Sequence, residues 1–397
     1  MFSLFEALIK NKKNLLSLYI HWPYCASKCP YCDFNSHLTE AVDVKHWIKS
    51  YTNQLHEMKE QLLRHNVSFN KLNTIFFGGG TPSLMPVEII DKILNTSLDL
   101  FGFGENIEIT LEANPSSYEI EKFYDLKKLG VNRISIGVQS LNDVNLKFLG
   151  RLHTSVDAQV AVEHASKTFD NVSVDLIYAF HEQKLSDWVN ELKMFLKNTD
   201  LQHLSLYQLT IEEGTKFFTD YKKGLLNIID KDIAADFYEK SNEILSKHKF
   251  MKYEVSNYAK RGFECKHNTN YWKSENWMGI GPGAYGRLWS SNSNIKRVEY
   301  QNYKNPKTWL SKNIKNSEFE STNFFNSATS DIDTLTMGLR LYKGIEIFRL
   351  CDTSIIESDA FKKLLNKKII IIKDGILKVN GDYMIKLNSI INFLINS

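Results

Sequence analysis

A chain of 397 residues exceeds the usual size of one domain, and a composition of 43% hydrophobic and 24% charged residues excludes disordered and collagen-like classes. The formal net charge of +3 is too small for this length to argue for nucleic acid as a partner. No apolar run reaches the roughly 18 to 20 residues that span a bilayer. The opening MFSLFEALIKNKKN carries Glu6 and Lys10 and no small-residue cleavage pattern, so a cytoplasmic protein is expected.

In chain order, strand-like runs fall at 16–21, 72–77, 107–112, 132–138, 171–177 and 203–208. Helix-like segments lie between them. The clearest has Val44, Trp47, Ile48, Tyr51, Leu55, Met58 and Leu62 on one stripe, and others are expected at 87–100, 119–129, 156–168 and 184–197. Six β/α units in succession imply an α/β fold with a parallel sheet, as a partial barrel or an open doubly wound sheet. Either form collects its chemistry at the C-terminal edge of the strands. Residues 287–330, rich in Asn, Ser and Lys, read as a connection with little regular structure. Beyond them, helices near 332–343 and 356–366, a hairpin turning at Asp374-Gly375 and a last helix resemble a winged-helix arrangement. The expected units are 1–215, an extension over 216–330, and 331–397.

Cys25, Cys29 and Cys32 follow the first strand with the spacing C-x3-C-x2-C. Three of five cysteines within eight positions point to metal ligation and not to a disulfide framework. Three soft thiolates on one loop suit three corners of a [4Fe–4S] cluster and leave the fourth iron open to a small molecule. The alternative is a Cys3His zinc site completed by His21 or His37. Cys265 and Cys351 stand apart, as packed or inert thiols. Gly78-Gly79-Gly80-Thr81-Pro82 follows the second strand, where glycines admit close backbone approach. Glu112, Gln139 and Asp175 close later strands and would form a polar rim, to which Arg151 adds a planar fork of donors.

The cysteine loop, with Tyr31 before the third cysteine, resembles the radical S-adenosylmethionine (SAM) signature. The stretches LYIHWPYCASKCPYCDF, FFGGGTPS, LEANPSS, RISIGVQS, LGRLH, DLIY and LRLYKGI extend the likeness over nearly the whole chain. They resemble the oxygen-independent coproporphyrinogen III oxidases and the radical SAM haem chaperones related to them. That resemblance implies a partial (β/α)6 barrel, a [4Fe–4S] cluster on Cys25, Cys29 and Cys32, and SAM. Its implied SAM contacts are Tyr19, Gly79, Gly80, Thr81, Glu112, Gln139, Arg151 and Asp175.

Two features lean towards the chaperones. Phe34 stands where the oxidases carry a further cysteine, and the first cluster ligand comes as early as residue 25. His267-Asn268-x-x-Tyr271-Trp272 is similar to the chaperones' HNxxYW segment, which implies haem binding through His267, with Cys265 as a lower-ranked thiolate alternative. The implied partners are haem and apo-haemoproteins, respiratory ones among them, with no nucleic acid. Transient membrane contact and a homodimer stay open. The competing reading is oxidative decarboxylation of porphyrinogen propionates.

Overall fold

The computed structural model describes residues 15–38, 41–291, 295–352 and 354–395, so the apolar opening lies outside the described residues. All six expected strands form and lie side by side in parallel: Leu16–Trp22, Leu72–Gly79, Phe103–Ala113, Arg133–Gln139, Asn171–Tyr178 and His203–Gln208. Register places apolar residues abreast, Leu18 beside Ile75, Ile75 beside Ile109, and Ile134 beside Val172. A strand buried on both faces needs such continuous apolar runs.

Helices cover the sheet where periodicity places them. Asp43 caps the first, accepting from the His46 N–H, and Trp47, Tyr51, Leu55, Met58 and Leu62 bury its stripe. Thr154 and Asp157 form a reciprocal capping box that starts the Ser155–Thr168 helix. The segment expected at 119–129 is two short helices, Ser117–Glu121 and Phe123–Lys128.

Residues 287–330 depart from the sequence expectation. Asn276–Ile280 joins the free side of Leu16–Trp22 in parallel, and Tyr285–Trp289, Arg297–Gln301 and Ser321–Phe325 continue antiparallel from it. Pro306–Asn313 is a helix capped by Asn305. These elements carry weak signals. Ser321–Phe325 is an edge strand with three of its five residues exposed, and Arg297–Gln301 buries an arginine and a glutamate where alternation expects apolar side chains.

A second hydrophobic core gathers Leu335, Leu339, Ile345, Phe361, Leu364, Leu377 and Ile390. Its first helix, Ser327–Gly338, begins and ends five residues earlier than expected, because Asn326 caps it and Gly338 must pass against Ile345, where a Cβ would stand 2.2 Å from that side chain. Asp374 and Gly375 both take positive φ, 53° and 74°, which is the turn chemistry a two-residue hairpin demands. Ile345–Glu346 adds a third strand beside Ile376–Val379. No helix among the described residues is long and apolar enough to cross a membrane.

The second core is latched to the sheet by charge. Asp333 bridges Arg287 and Arg297, and Arg297 is fully buried. Arg349 pairs with Glu275 at 2.9 Å and Glu346 at 2.6 Å. Replacing Asp333 by Ala leaves a buried guanidinium without its carboxylate, so unfolding free energy should fall by about 3–5 kcal/mol. Urea denaturation checks this, and a loss below about 1 kcal/mol would show that the latch is dispensable.

Candidate metal and cofactor site

The cysteine loop leaves the first strand at Trp22 and is closed at its base by a short parallel pairing of Tyr24–Cys25 with His37–Leu38. Its outer bend is held by Phe217 N–H donating to Pro30 O at 2.9 Å. The loop lies directly on the glycine segment. Gly80 N–H donates to Trp22 O at 2.7 Å and Thr81 N–H to Tyr24 O at 2.9 Å. A Cβ on Gly79 would stand 2.7 Å from Trp22 O, and one on Gly80 2.7 Å from Tyr24 O. Gly79 also has φ +118°, so glycine is required there twice over.

Beneath the loop, His21 ties the barrel to it. Its Nε2–H donates to Asn35 O at 2.9 Å, which leaves Nδ1 to accept from the Tyr19 hydroxyl at 3.0 Å. Burial holds the imidazole down to about 4, so it is neutral. Both nitrogens are therefore committed. His37 Nε2 meets Asn35 Oδ1 at 3.3 Å.

Cys25, Cys29 and Cys32 are free thiols, partly exposed and lining one cavity of about 300 Å³. Burial pushes the thiols of Cys25 and Cys32 up. Thr81 Oγ1 donates to Cys25 Sγ at 3.4 Å and Arg151 Nη1 to Cys29 Sγ at 3.5 Å. This donor set fits a cubane cluster, which distributes its thiolates over separate corners. Of the two histidines that could complete a zinc site, His21 has no free nitrogen, because Nε2 meets Asn35 O and Nδ1 meets the Tyr19 hydroxyl.

Tyr31, Gly79, Gly80, Thr81, Glu112, Gln139, Arg151 and Asp175 line the same cavity as the three cysteines. Asn114, not singled out in the sequence, joins them. It accepts from Arg151 Nη2 through Oδ1 and donates to Thr81 Oγ1 at 3.0 Å, so the arginine fork and the glycine segment share one bridge. Arg151 also donates to Gly137 O at 2.8 Å. The signal for Asn114 was its place just past a strand end, the same rule that selected Glu112. Gln139 takes φ 69°, turning the chain at the rim. Ser135 Oγ donates to Asp175 at 3.3 Å. Burial, with Asp175 close by, pushes the Glu112 carboxyl up to about 8.

Tyr19 and His267 do not line this cavity. Tyr19 lies three residues before the end of its strand, so its ring sits deeper in the barrel, near Phe76 and His267. His267 lies at the barrel's opposite end. The Lys266–Trp272 helix plugs the N-terminal mouth, where Asn270 donates to Ser17 Oγ at 2.9 Å and Glu108 accepts from the N–H groups of Lys266 and His267, both at 3.0 Å. His267 is 1% exposed, and its two nitrogens meet Thr74 Oγ1 and the Tyr271 hydroxyl, each at 2.8 Å. In this conformation neither nitrogen is available to an axial iron. Cys265 is no alternative as a thiolate, because its fully buried thiol donates to Glu108 and is pushed up to about 12.

Residues 19–195 match the Radical SAM superfamily. The Heme chaperone HemW of Haemophilus influenzae is 39% identical over 74% of this chain and 76% of its own length. The chain belongs to the HemW family of radical SAM proteins. The mitochondrial Radical S-adenosyl methionine domain-containing protein 1 of Dictyostelium discoideum extends the family likeness to 98% of this chain and 96% of that one, at 34% identity. Coproporphyrinogen III oxidase (HemN) from Escherichia coli shares the HemW-family fold, with a TM-score of 0.77 over 99% of this chain and 93% of its own at 16% identity. Radical SAM membership implies a [4Fe–4S] cluster and SAM, and the thiols described above fit the cluster.

Glu112 yields a pH test on the SAM-free protein. Its carboxyl keeps its proton to about pH 8 when folded but loses it near 4.5 when unfolded, so this group's stabilising contribution is present below pH 4.5 and lost as pH rises through 8. Glu112→Gln should flatten that decline. Denaturation at pH 5 and pH 8 checks it, and equal slopes in variant and wild type would contradict the assignment.

Proposed function

We propose that this chain binds haem and passes it to apo-haemoproteins, respiratory ones among them, with the radical SAM barrel as its scaffold. The observation that carries this reading is Phe34. It stands 60% exposed beside the cluster loop, at the position where the coproporphyrinogen oxidases carry a further cysteine. The 39% identical relative that bears the name haem chaperone supports the same choice.

Cys25, Cys29 and Cys32 hold the cluster. Gly79, Gly80, Thr81, Glu112, Gln139, Arg151 and Asp175 seat SAM with Tyr31 in the same wall, while Tyr19, deeper in the barrel, acts through its hydroxyl bond to His21. The bound pair supplies one-electron reductive cleavage of a sulfonium. Around it the chain's own residues position and exclude: Arg151 and Asn114 fix the rim, and His21, held neutral, keeps the loop tied to the barrel. Coordination of haem by His267 calls for the Lys266–Trp272 helix to give up its contacts with Thr74 and Tyr271.

Anaerobically reconstituted protein should take up haem and deliver it to an apo-cytochrome, read from the acceptor's Soret band. Incubation with coproporphyrinogen III, SAM and reductant should yield no vinyl product, and many turnovers would overturn the reading. Replacing any of Cys25, Cys29 or Cys32 by Ala should abolish the visible iron–sulfur absorption.

His267→Ala should shift the haem Soret band and weaken haem binding while iron–sulfur content stays constant. The same change empties a buried ring site and strands two hydroxyl partners, so the haem-free protein should also lose about 2–4 kcal/mol of stability. An unaltered haem spectrum in a folded variant would remove His267 as a ligand.

A further inference from the structure

Three hollows meet the cysteine loop. The one against Ala26 and Ser27 carries the carboxylates Glu119 and Asp157, which disfavour an acidic partner, and the other two share Cys29 and Cys32. The inner one is the 300 Å³ cavity with the polar rim. On the outer side lies a depression of about 700 Å³, and Cys29 and Cys32 line both. Its floor is apolar and rigid: Phe148 and Phe217 pack with ring centres 5.0 Å apart, beside Pro30 and the buried Leu226. Leu225, in its wall, is 75% exposed. Lysines 28, 147 and 216 surround it.

Charge separates the two sides. The inner cavity's lining includes Asp33 and Glu212, whereas the outer depression has one carboxylate, Asp220, already neutralised by Lys216 at 2.5 Å. Lys28 and Lys147 are exposed and stand in no ion pair among the described residues. An apolar patch with an uncompensated cationic rim is built for a transient protein contact, with charge steering the encounter and the apolar centre seating it.

We propose that this outer depression is the docking surface for an acidic one-electron carrier protein that reduces the cluster. The inference rests on the cluster assignment and not on haem carriage. With SAM in the inner cavity, that hollow is taken by the cofactor, and the outer depression is the other hollow lined by both Cys29 and Cys32. One electron leaves the donor and enters the cluster, and no bond forms or breaks.

The test compares reconstituted wild type, Lys28→Glu/Lys147→Glu, and the charge-matched control Lys45→Glu/Lys49→Glu on the exposed face of the Val44–Arg64 helix. The probe is a reduced acidic flavodoxin, with stopped-flow bleaching of the cluster as readout. The rim variant should be reduced about tenfold more slowly or worse at low ionic strength, and added salt should slow the wild type far more than the variant. Reduction by dithionite should stay within about twofold for all three. Titration of cluster-free protein with oxidised flavodoxin should show the same weakening, which keeps the test valid where a variant loads cluster poorly. Leu225→Asp should weaken docking through the apolar centre.

Equal flavodoxin rates in rim variant and control would overturn the proposal. So would equal losses with flavodoxin and dithionite, which would place the lysines' effect on the cluster itself. Weakened binding of an apo-cytochrome with flavodoxin docking intact would also overturn it, making this the delivery face instead. Haem uptake, measured in parallel, reports on the carrier function separately.

Discussion

Everything at the metal end depends on one close approach, the backbone of Gly79 and Gly80 lying against that of Trp22 and Tyr24. There is no room there for a Cβ, and the two N–H···O bonds across the contact set where the cysteine loop starts. A loop of thiols free in solution would lose conformational freedom when it wrapped a cluster. Here much of that cost is met by folding, because the loop's base, bend and inner face are each pinned by backbone bonds. Gly150 repeats the device on the far side, since a Cβ there would meet Pro30 at 2.5 Å. The cysteines are thus clamped between two glycine contacts from different β/α units.

The opposite end of the barrel is closed by a different means. Glu108 caps the Lys266–Trp272 helix while the ring of His267 reaches up to Thr74, Phe76 and Tyr271. Trp272 faces the other way and packs on the second hydrophobic core. The HNTNYW segment is therefore a two-faced plug, polar towards the lumen and aromatic towards the C-terminal unit. Trp272 thus joins the C-terminal unit to the floor of the barrel.

What the sequence makes legible follows from where signals are strong. The six parallel strands are doubly buried apolar runs, and the helices between them carry clear stripes, so both read directly. Cys25, Cys29 and Cys32 declare themselves by spacing, and the rim residues by their position at strand ends. The misses share one cause: polar residues buried in partnership. Arg297 and Glu299 sit inside a strand that reads as a loop, because their charge partners, Asp333 and Arg287, lie outside that strand. The two partners of His267 are hidden differently: Thr74 is distant in sequence, and Tyr271 reads as a fellow member of the same segment. Asn114 is hidden for the same reason, its partners Arg151 and Thr81 coming from other units.

The lumen between the two ends has a consistent electrical character. Burial holds His21 down to about 4 and His267 to about 3, while Glu112 is pushed up to about 8 and Asp175 is also raised. At neutral pH both imidazoles and the Glu112 carboxyl are uncharged. These imidazoles and carboxyls decline charge while two guanidiniums keep it: Arg133, buried near Glu108 and Asp175, and Arg151 at the rim, which is spent on Asn114, Gly137 and Cys29. A cationic sulfonium entering this space meets no competing imidazolium. Any cation brought close to Glu112 favours its ionised form, so the carboxyl responds to what enters the cavity. A permanently ionised carboxylate pair would instead repel itself in the empty barrel, and the neutral resting state avoids that cost.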